Sequence, residues 1–126
     1  MDVRKLQKIV VSALEDIKGR DITVINTSKL SSMFERIVVA SADSTRQVKA
    51  LADNVREKLK ALGASVLSVE GEENGEWVLV DLGAVIVHVM QPSIRQYYNL
   101  EQLWDQPEPK RPRARKKAAQ AQPAAG

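Results

Sequence analysis

Trp77-Val-Leu-Val-Asp-Leu-Gly-Ala-Val-Ile-Val-His-Val-Met90 is the stretch on which the fold turns. Two runs of strand-forming residues, Trp77 to Asp81 and Val85 to Met90, are joined through Leu82-Gly83-Ala84, a connection short enough only for a hairpin turn. Side chains alternate along a strand, so Trp77, Leu79 and Asp81 share one face and Val78, Val80 and Leu82 the other. On the second strand Val85, Val87 and Val89 oppose Ile86, His88 and Met90. The almost uniformly β-branched set is suited to packing beneath helices. The mixed set, Trp77, Leu79 and Asp81 with Ile86, His88 and Met90, makes a half-polar face that needs another cover. A C-terminal helix can supply part of it and a partner protein the rest.

Upstream, Val3, Leu6, Ile9, Val10, Ala13, Leu14 and Ile17 recur at three and four residues and form one helical stripe. Asp2 can cap that helix, and Gly19 can end it in a left-handed conformation. Ile22-Thr-Val-Ile25 and Ile37-Val-Val-Ala40 read as strands. Between them Thr27 to Glu35 is a loop or a single helical turn whose Leu30, Met33 and Phe34 cover part of the core. Val48, Leu51, Ala52, Val55, Leu59 and Leu62 form the stripe of a second helix, Ser44 to Leu62, with Asp43 or Ser44 as its cap and Gly63 as its stop. Val66-Leu-Ser-Val69 is a third strand, followed by the exposed acidic loop Glu70 to Glu76. Pro92 closes the last strand, and Ser93 to Trp104 fits a short helix with Ile94, Tyr97, Leu100 and Trp104 along one side.

The element order is therefore α-β-β-α-β-β-β-α. The crossover from the second strand through the second helix to the third strand requires some parallel pairing, while the final hairpin is antiparallel. The expectation is an α/β fold, a mixed five-stranded sheet with helices mainly on one face.

Charge is unevenly placed along the 126 residues. The whole chain carries +3, with 19 Lys and Arg against 16 Asp and Glu and a pI near 9.3. Residues 105–126 hold six basic residues (Lys110, Arg111, Arg113, Arg115, Lys116, Lys117) and two acids, a net of +4. Residues 1–104 hold 13 basic and 14 acidic residues, a net of −1. The division expected is a near-neutral domain over 1–104 and a disordered Pro/Ala/Lys/Arg tail over 105–126. With no Cys there is no disulfide, thiolate zinc site or cysteine nucleophile, and a single His excludes a multi-histidine metal centre. The chain has no run near the roughly 18 apolar residues of a spanning helix, and its charged start lacks a signal-peptide pattern. A cytoplasmic protein is expected.

Catalytic patterns are sparse. Neither GxGxxG nor GxxxxGK[ST] occurs. His88, Asp81 and a serine can be drawn as a triad, but no nucleophile-elbow sequence accompanies them; packing and hydrogen bonding on the last strand is the plainer role for His88. Glu70, Glu72, Glu73 and Glu76 match no calcium-loop spacing and read as a solvated turn. Asp81 interrupts an apolar run, where a buried carboxylate is costly without a partner. It either sits at the strand end in a turn or serves as an exposed recognition group. An RNA-binding sheet would interleave aromatics with Lys and Arg, whereas this one offers Asp81 beside an acidic loop.

The sequence resembles the ribosomal silencing factor, or Iojap-like, family. The resemblance is carried in order by Asp43-Ser-Thr-Arg-Gln-Val-Lys-Ala-Leu-Ala-Asp53, Val69-Glu-Gly71, Trp77-Val-Leu-Val-Asp-Leu-Gly83, Val85-Ile-Val-His-Val89 and Arg95-Gln-Tyr-Tyr-Asn-Leu-Glu-Gln-Leu-Trp104. It covers about residues 1–104; Ala84 departs from it, where similar members often carry an acid, and the tail after Asp105 lies outside it. What the resemblance implies is a nucleotidyltransferase-like fold used for binding rather than catalysis, with no cofactor and no metal. It also implies a partner, the large ribosomal subunit, engaged through its universal fourteenth protein. The bound factor then obstructs joining of the small subunit and represses translation, notably when nutrients are scarce.

With that implication, the contact is expected on Trp77, Leu79, Asp81, Met90, Arg95 and Tyr98, joined by His88 and Glu101. Asp81 would pair with a Lys or Arg of the ribosomal protein, and Trp77 and Tyr98 would supply buried area. Tyr97, Leu100 and Trp104 are assigned to locking the last helix onto the sheet. Two other readings stand beside this one: a nucleotidyltransferase-like or hydrolytic enzyme using Asp81 and His88, and an RNA binder driven by the basic tail, which could also add non-specific rRNA contact to the first reading. Self-association as a homodimer is left open.

Overall fold

The computed structural model describes residues 2–99. Helix α1 (Val3–Asp16) buries Leu6, Val10, Ala13 and Leu14, the inner half of the stripe. The Asp2 side chain accepts from the Lys5 amide at 2.8 Å and closes its N-terminus. Its C-terminus differs from expectation. Lys18, with φ 62°, takes the left-handed position, its N–H donating to the Glu15 carbonyl while Gly19 N–H donates to Leu14. Gly19 is needed for another reason: a Cβ there would sit 3.0 Å from the Leu14 carbonyl oxygen and 3.2 Å from Leu51 Cδ2. Lys18→Gly should therefore stabilise the fold by about 0.5 kcal/mol, since relief of the left-handed backbone exceeds the lost attraction of a cation for the helix C-terminus. An increased urea midpoint at unchanged slope is the expected result.

Helix α2 (Thr45–Ala61) is capped by Ser44, whose Oγ accepts from the Gln47 amide at 3.1 Å, and ends with Gly63 at φ 76°. Val48, Leu51, Ala52, Val55 and Leu59 are buried. Leu62, expected in the same stripe, lies at the helix end and is 56% exposed.

The strands are β1 (Arg20–Asn26), β2 (Arg36–Ser41), β3 (Ser68–Glu70), β4 (Trp77–Asp81) and β5 (Val85–Met90), and helix α3 spans Pro92–Tyr98. They form one five-stranded mixed sheet in the order β1-β2-β5-β4-β3. The parallel pair is β2 with β5, and every other pairing is antiparallel. The crossover through α2 therefore carries the chain from β2 past two positions to β3, and the β4–β5 hairpin fills the gap. The hairpin occupies the span read from sequence, and its Leu82 amide donates to Val85 at 3.0 Å.

Two cores flank the sheet. On one face Val38, Ala40, Val78, Val80, Leu82, Val85, Val87 and Val89 pack against α1 and α2. Each fully buried valine there contributes roughly 1.5–3 kcal/mol relative to exposure. The alternation read from the hairpin assigns its members of this face correctly. On the opposite face Ile25, Ile37, Val39 and Met90 form a smaller core with Phe34, Trp77, Ile86 and Ile94. Residues 27–35 supply Phe34 to it through one turn closed by the Leu30 and Ser31 amides on the Thr27 carbonyl. Leu30 and Met33, expected to help, are 50% and 82% exposed.

Helix α3 crosses that smaller core. Pro92 occupies its first turn, where a missing N–H costs nothing, and Asn99 ends it at φ 48°. Ile94 faces inward, but Tyr97, expected to do so too, is 79% exposed. Arg95 supplies the reason. Its guanidinium donates to Ser41 Oγ on β2 at 2.8 Å and to Thr23 Oγ1 on β1 at 3.0 Å, which sets the roll of the helix so that residues 94, 95 and 98 meet the sheet. Leu100 and Trp104, the other residues assigned to locking this helix, lie outside the described residues.

Candidate interaction face

Strand register assembles the site on the sheet face away from α1 and α2. One row runs Ile25, Ile37, Ile86, Asp81, Ser68, and the next Thr23, Val39, His88, Leu79, Glu70; a shorter one holds Ser41, Met90 and Trp77. Apolar residues dominate the β1–β2 side, where Phe34 and α3 cover them. Toward β4 and β3 the rows become half-buried and acidic.

Trp77 is the centre of this face. Its indole Nε1–H donates to His88 Nδ1 at 2.9 Å, and the two ring centroids are 5.8 Å apart. Tyr98, at the end of α3, lays its ring 4.8 Å from the indole at 47°, and Tyr97 meets Tyr98 edge-on at 4.9 Å. Such tilted and edge contacts suit the quadrupoles of the rings. An aromatic ladder thus climbs from a buried imidazole to solvent.

The segment before Trp77 is built tightly. Gly71, at φ 88°, passes so close to β4 that a Cβ would lie 2.1 Å from the Trp77 carbonyl oxygen. Gln91 ties the far side of the loop, its amide N–H donating to Glu76 at 2.9 Å and its side chain to the Gly75 carbonyl at 3.2 Å and Thr45 Oγ1 at 3.3 Å. Four glutamates and no base occupy residues 70–76. Glu72 is paired with Arg56 at 3.0 Å; Glu70, Glu73 and Glu76 are exposed.

The expected contact residues meet different fates. Trp77, Leu79 and Asp81 lie half-buried on this face, and Tyr98 is 51% exposed beside Trp77. Asp81 sits in the turn, its Oδ1 accepting from the Gly83 amide at 2.9 Å, with the carboxylate still partly open to solvent. Met90 is corrected: it is on the face read from the alternation but fully buried beneath α3, and offers no surface. Arg95 is engaged within the molecule by Ser41 and Thr23. Glu101 lies outside the described residues.

His88 is 8% exposed, and burial pulls its imidazole down to about 4, so it is neutral at pH 7. Its Nδ1 accepts from Trp77, and Asp81 accepts from Gly83 rather than from the imidazole, so the two do not form the dyad of a triad. Among the described residues no group of three His, Cys, Asp or Glu could hold a metal ion. No helix of the described residues is long and apolar enough to cross a membrane.

Two features were not placed on this face from sequence, where Glu70 was read as part of the acidic turn. Thr23 and Ser41 hold Arg95, and Ser41 could have been found by extending the two-residue alternation from Ile37 and Val39. Glu70 extends the Leu79 row as an exposed acid on the outer strand.

Comparison with known proteins gives a consistent result. The family model for "Ribosomal silencing factor during starvation" matches residues 1–125. A ribosomal silencing factor of Chromobacterium violaceum is 55% identical over 104 residues, covering 82% of this chain and 85% of that protein. The mouse protein named mitochondrial assembly of ribosomal large subunit protein 1 is 31% identical over 99 residues, covering 76% of this chain and 43% of its own length. A crystal structure of a Chromobacterium violaceum protein superimposes with a TM-score of 0.82 at 53% identity, covering 86% of this chain and 91% of that one. With sequence, element order and sheet in agreement over nearly the whole chain, this protein belongs to the ribosomal silencing factor family.

Proposed function

We propose that this protein represses translation without catalysis, by docking its open sheet face on the large ribosomal subunit through the universal fourteenth large-subunit protein and obstructing arrival of the small subunit, above all under nutrient limitation. The observation that carries the reading is the half-buried Trp77 with Tyr98 stacked on it at the surface, on the same sheet face as Asp81 and Glu70. Aromatic anchors rimmed by acids complement a basic protein surface better than bare phosphate. Steric obstruction needs only a specific interface of about 1,200–2,000 Å² in total. Trp77 and Tyr98 supply the area, Leu79 and Asp81 extend it, His88 acts from beneath and Arg95 from the covering helix α3. The name of the mouse relative, which places that protein in large-subunit assembly, supports a large-subunit partner. The +4 charge of residues 105–126 adds salt-dependent attraction to an RNA-rich particle.

Co-sedimentation with purified large subunits tests the proposal. The wild-type chain should travel with them, and an excess should reduce joining of small subunits. Asp81→Lys should weaken binding at least about tenfold, roughly 1.4 kcal/mol, by setting like charges against each other across the interface. Removing residues 105–126 should leave subunit binding in place with a shallower salt dependence. Undiminished sedimentation of Asp81→Lys would remove this face from the interface.

A further inference from the structure

We propose that His88 is the positioning residue of the docking face, holding the indole of Trp77 through Nδ1 at the angle that receives Tyr98. The inference rests on the docking reading above and goes beyond it by assigning a buried residue an indirect part in binding.

Three observations converge on it. First, the bond is diagonal. Trp77 pairs across the sheet with Met90 and His88 with Leu79, so the indole leans along the sheet by two residue pairs, to the next pair on the same face, to reach the imidazole. Without an acceptor at Nδ1 nothing in that pairing would favour the lean. Second, His88 is itself fixed, hemmed along its row by Val39 on β2 and Leu79 on β4 and 8% exposed. A buried ring between neighbouring strands gives a defined direction to its lone pair. Third, the orientation it imposes is used at once, since the same indole carries the Tyr98 ring at 4.8 Å. Arg95 delivers Tyr98 from above, and His88 delivers Trp77 from below.

Because Nδ1 accepts, the ring proton belongs on Nε2. The substitutions that test the idea follow from that geometry. Asparagine places an amide oxygen where Nδ1 stands, glutamine places its polar end where Nε2 stands, and leucine offers neither. His88→Leu should leave the far-UV circular dichroism native. It should move the Trp77 indole N–H resonance away from its hydrogen-bonded position, assigned against Trp104→Phe, and lower affinity for purified large subunits about tenfold, in line with one lost, partly buried hydrogen bond. His88→Asn should return both readouts most of the way. If His88→Leu fails to fold, the comparison of His88→Asn with His88→Gln decides, with the asparagine variant binding like wild type and the glutamine variant about tenfold weaker.

An indole resonance unmoved by His88→Leu, unchanged affinity in a folded His88→Leu, or a glutamine variant that outperforms asparagine would each overturn the assignment. Failure of the wild type to sediment with large subunits would instead strike the docking reading. The indole resonance would then still decide whether His88 holds Trp77.

Discussion

Gly71→Ala should lower stability by at least about 3 kcal/mol. A methyl group there would sit 2.1 Å from the Trp77 carbonyl oxygen and 3.2 Å from its carbon, both backbone atoms of the first residue of β4. Backbone in a paired strand does not yield as a flexible side chain would, so the loop must move instead. The φ of 88° adds roughly 1–2 kcal/mol for any residue with a Cβ. Relaxation of the loop would pull on Trp77, so binding to the large subunit should fall further than the lost stability alone accounts for. Urea unfolding of the variant measures the first effect and sedimentation with large subunits the second. A loss below about 1 kcal/mol would mean that residues 71–76 shift freely and do not fix Trp77.

Acid should destabilise this protein early, through His88. The imidazole is held at about 4 by burial, against 6.5 in the unfolded chain. Between those values the unfolded chain binds the proton that the native state refuses, so stability falls as pH falls. The contribution is intact above about pH 7. Roughly 2 kcal/mol is lost by pH 5 and about 3 kcal/mol by pH 4, after which the native ring also protonates and the loss levels off. Asp16, lowered by its hydrogen bond to Lys58, contributes in the same direction at lower pH. His88→Asn separates the two, since it removes the histidine and keeps the carboxylates. Its stability should stay nearly flat between pH 7 and 5, where the wild type declines. Parallel curves for the two proteins would show that His88 protonates without penalty.

The hairpin and its two faces were legible because the alternation there is local and strong. Val78, Val80, Val87 and Val89 could only be the side beneath α1 and α2, and they are. What alternation does not tell is what lies on top. Met90 shares a face with Trp77, yet Phe34 and Ile94 arrive from 56 residues before and four residues after to seal that core. Strand order was equally hidden: a β-branched run fits many neighbours, and the parallel partner of β2 proved to be β5 rather than β3. The acceptors of Arg95, Ser41 and Thr23, stand 54 and 72 residues away, beyond any local pattern. Within the candidate site, Trp77, Asp81 and Tyr98 stood out because each breaks the apolar pattern or adds an aromatic, and Leu79 entered by sharing the strand face of Trp77 and Asp81. The direction in which His88 works, inward to an indole rather than outward to a partner, needed the register.

The placement of the β4–β5 hairpin between β2 and β3 has a consequence for how the molecule comes into being. When residue 76 leaves the synthetic machinery, the residues of α1, α2 and three strands have been made, but β2 and β3 belong three positions apart, with the places of β5 and β4 between them, and do not pair with each other. The nascent chain therefore lacks the middle of its floor, and the helices have Val38 and Ala40 of β2 but not the valines of β4 and β5. Contacts so distant in sequence make folding slower than helical packing alone would. The last strands to be made are also those that carry Trp77, Leu79, Asp81 and His88. Completion of the fold and appearance of the proposed docking face are one event.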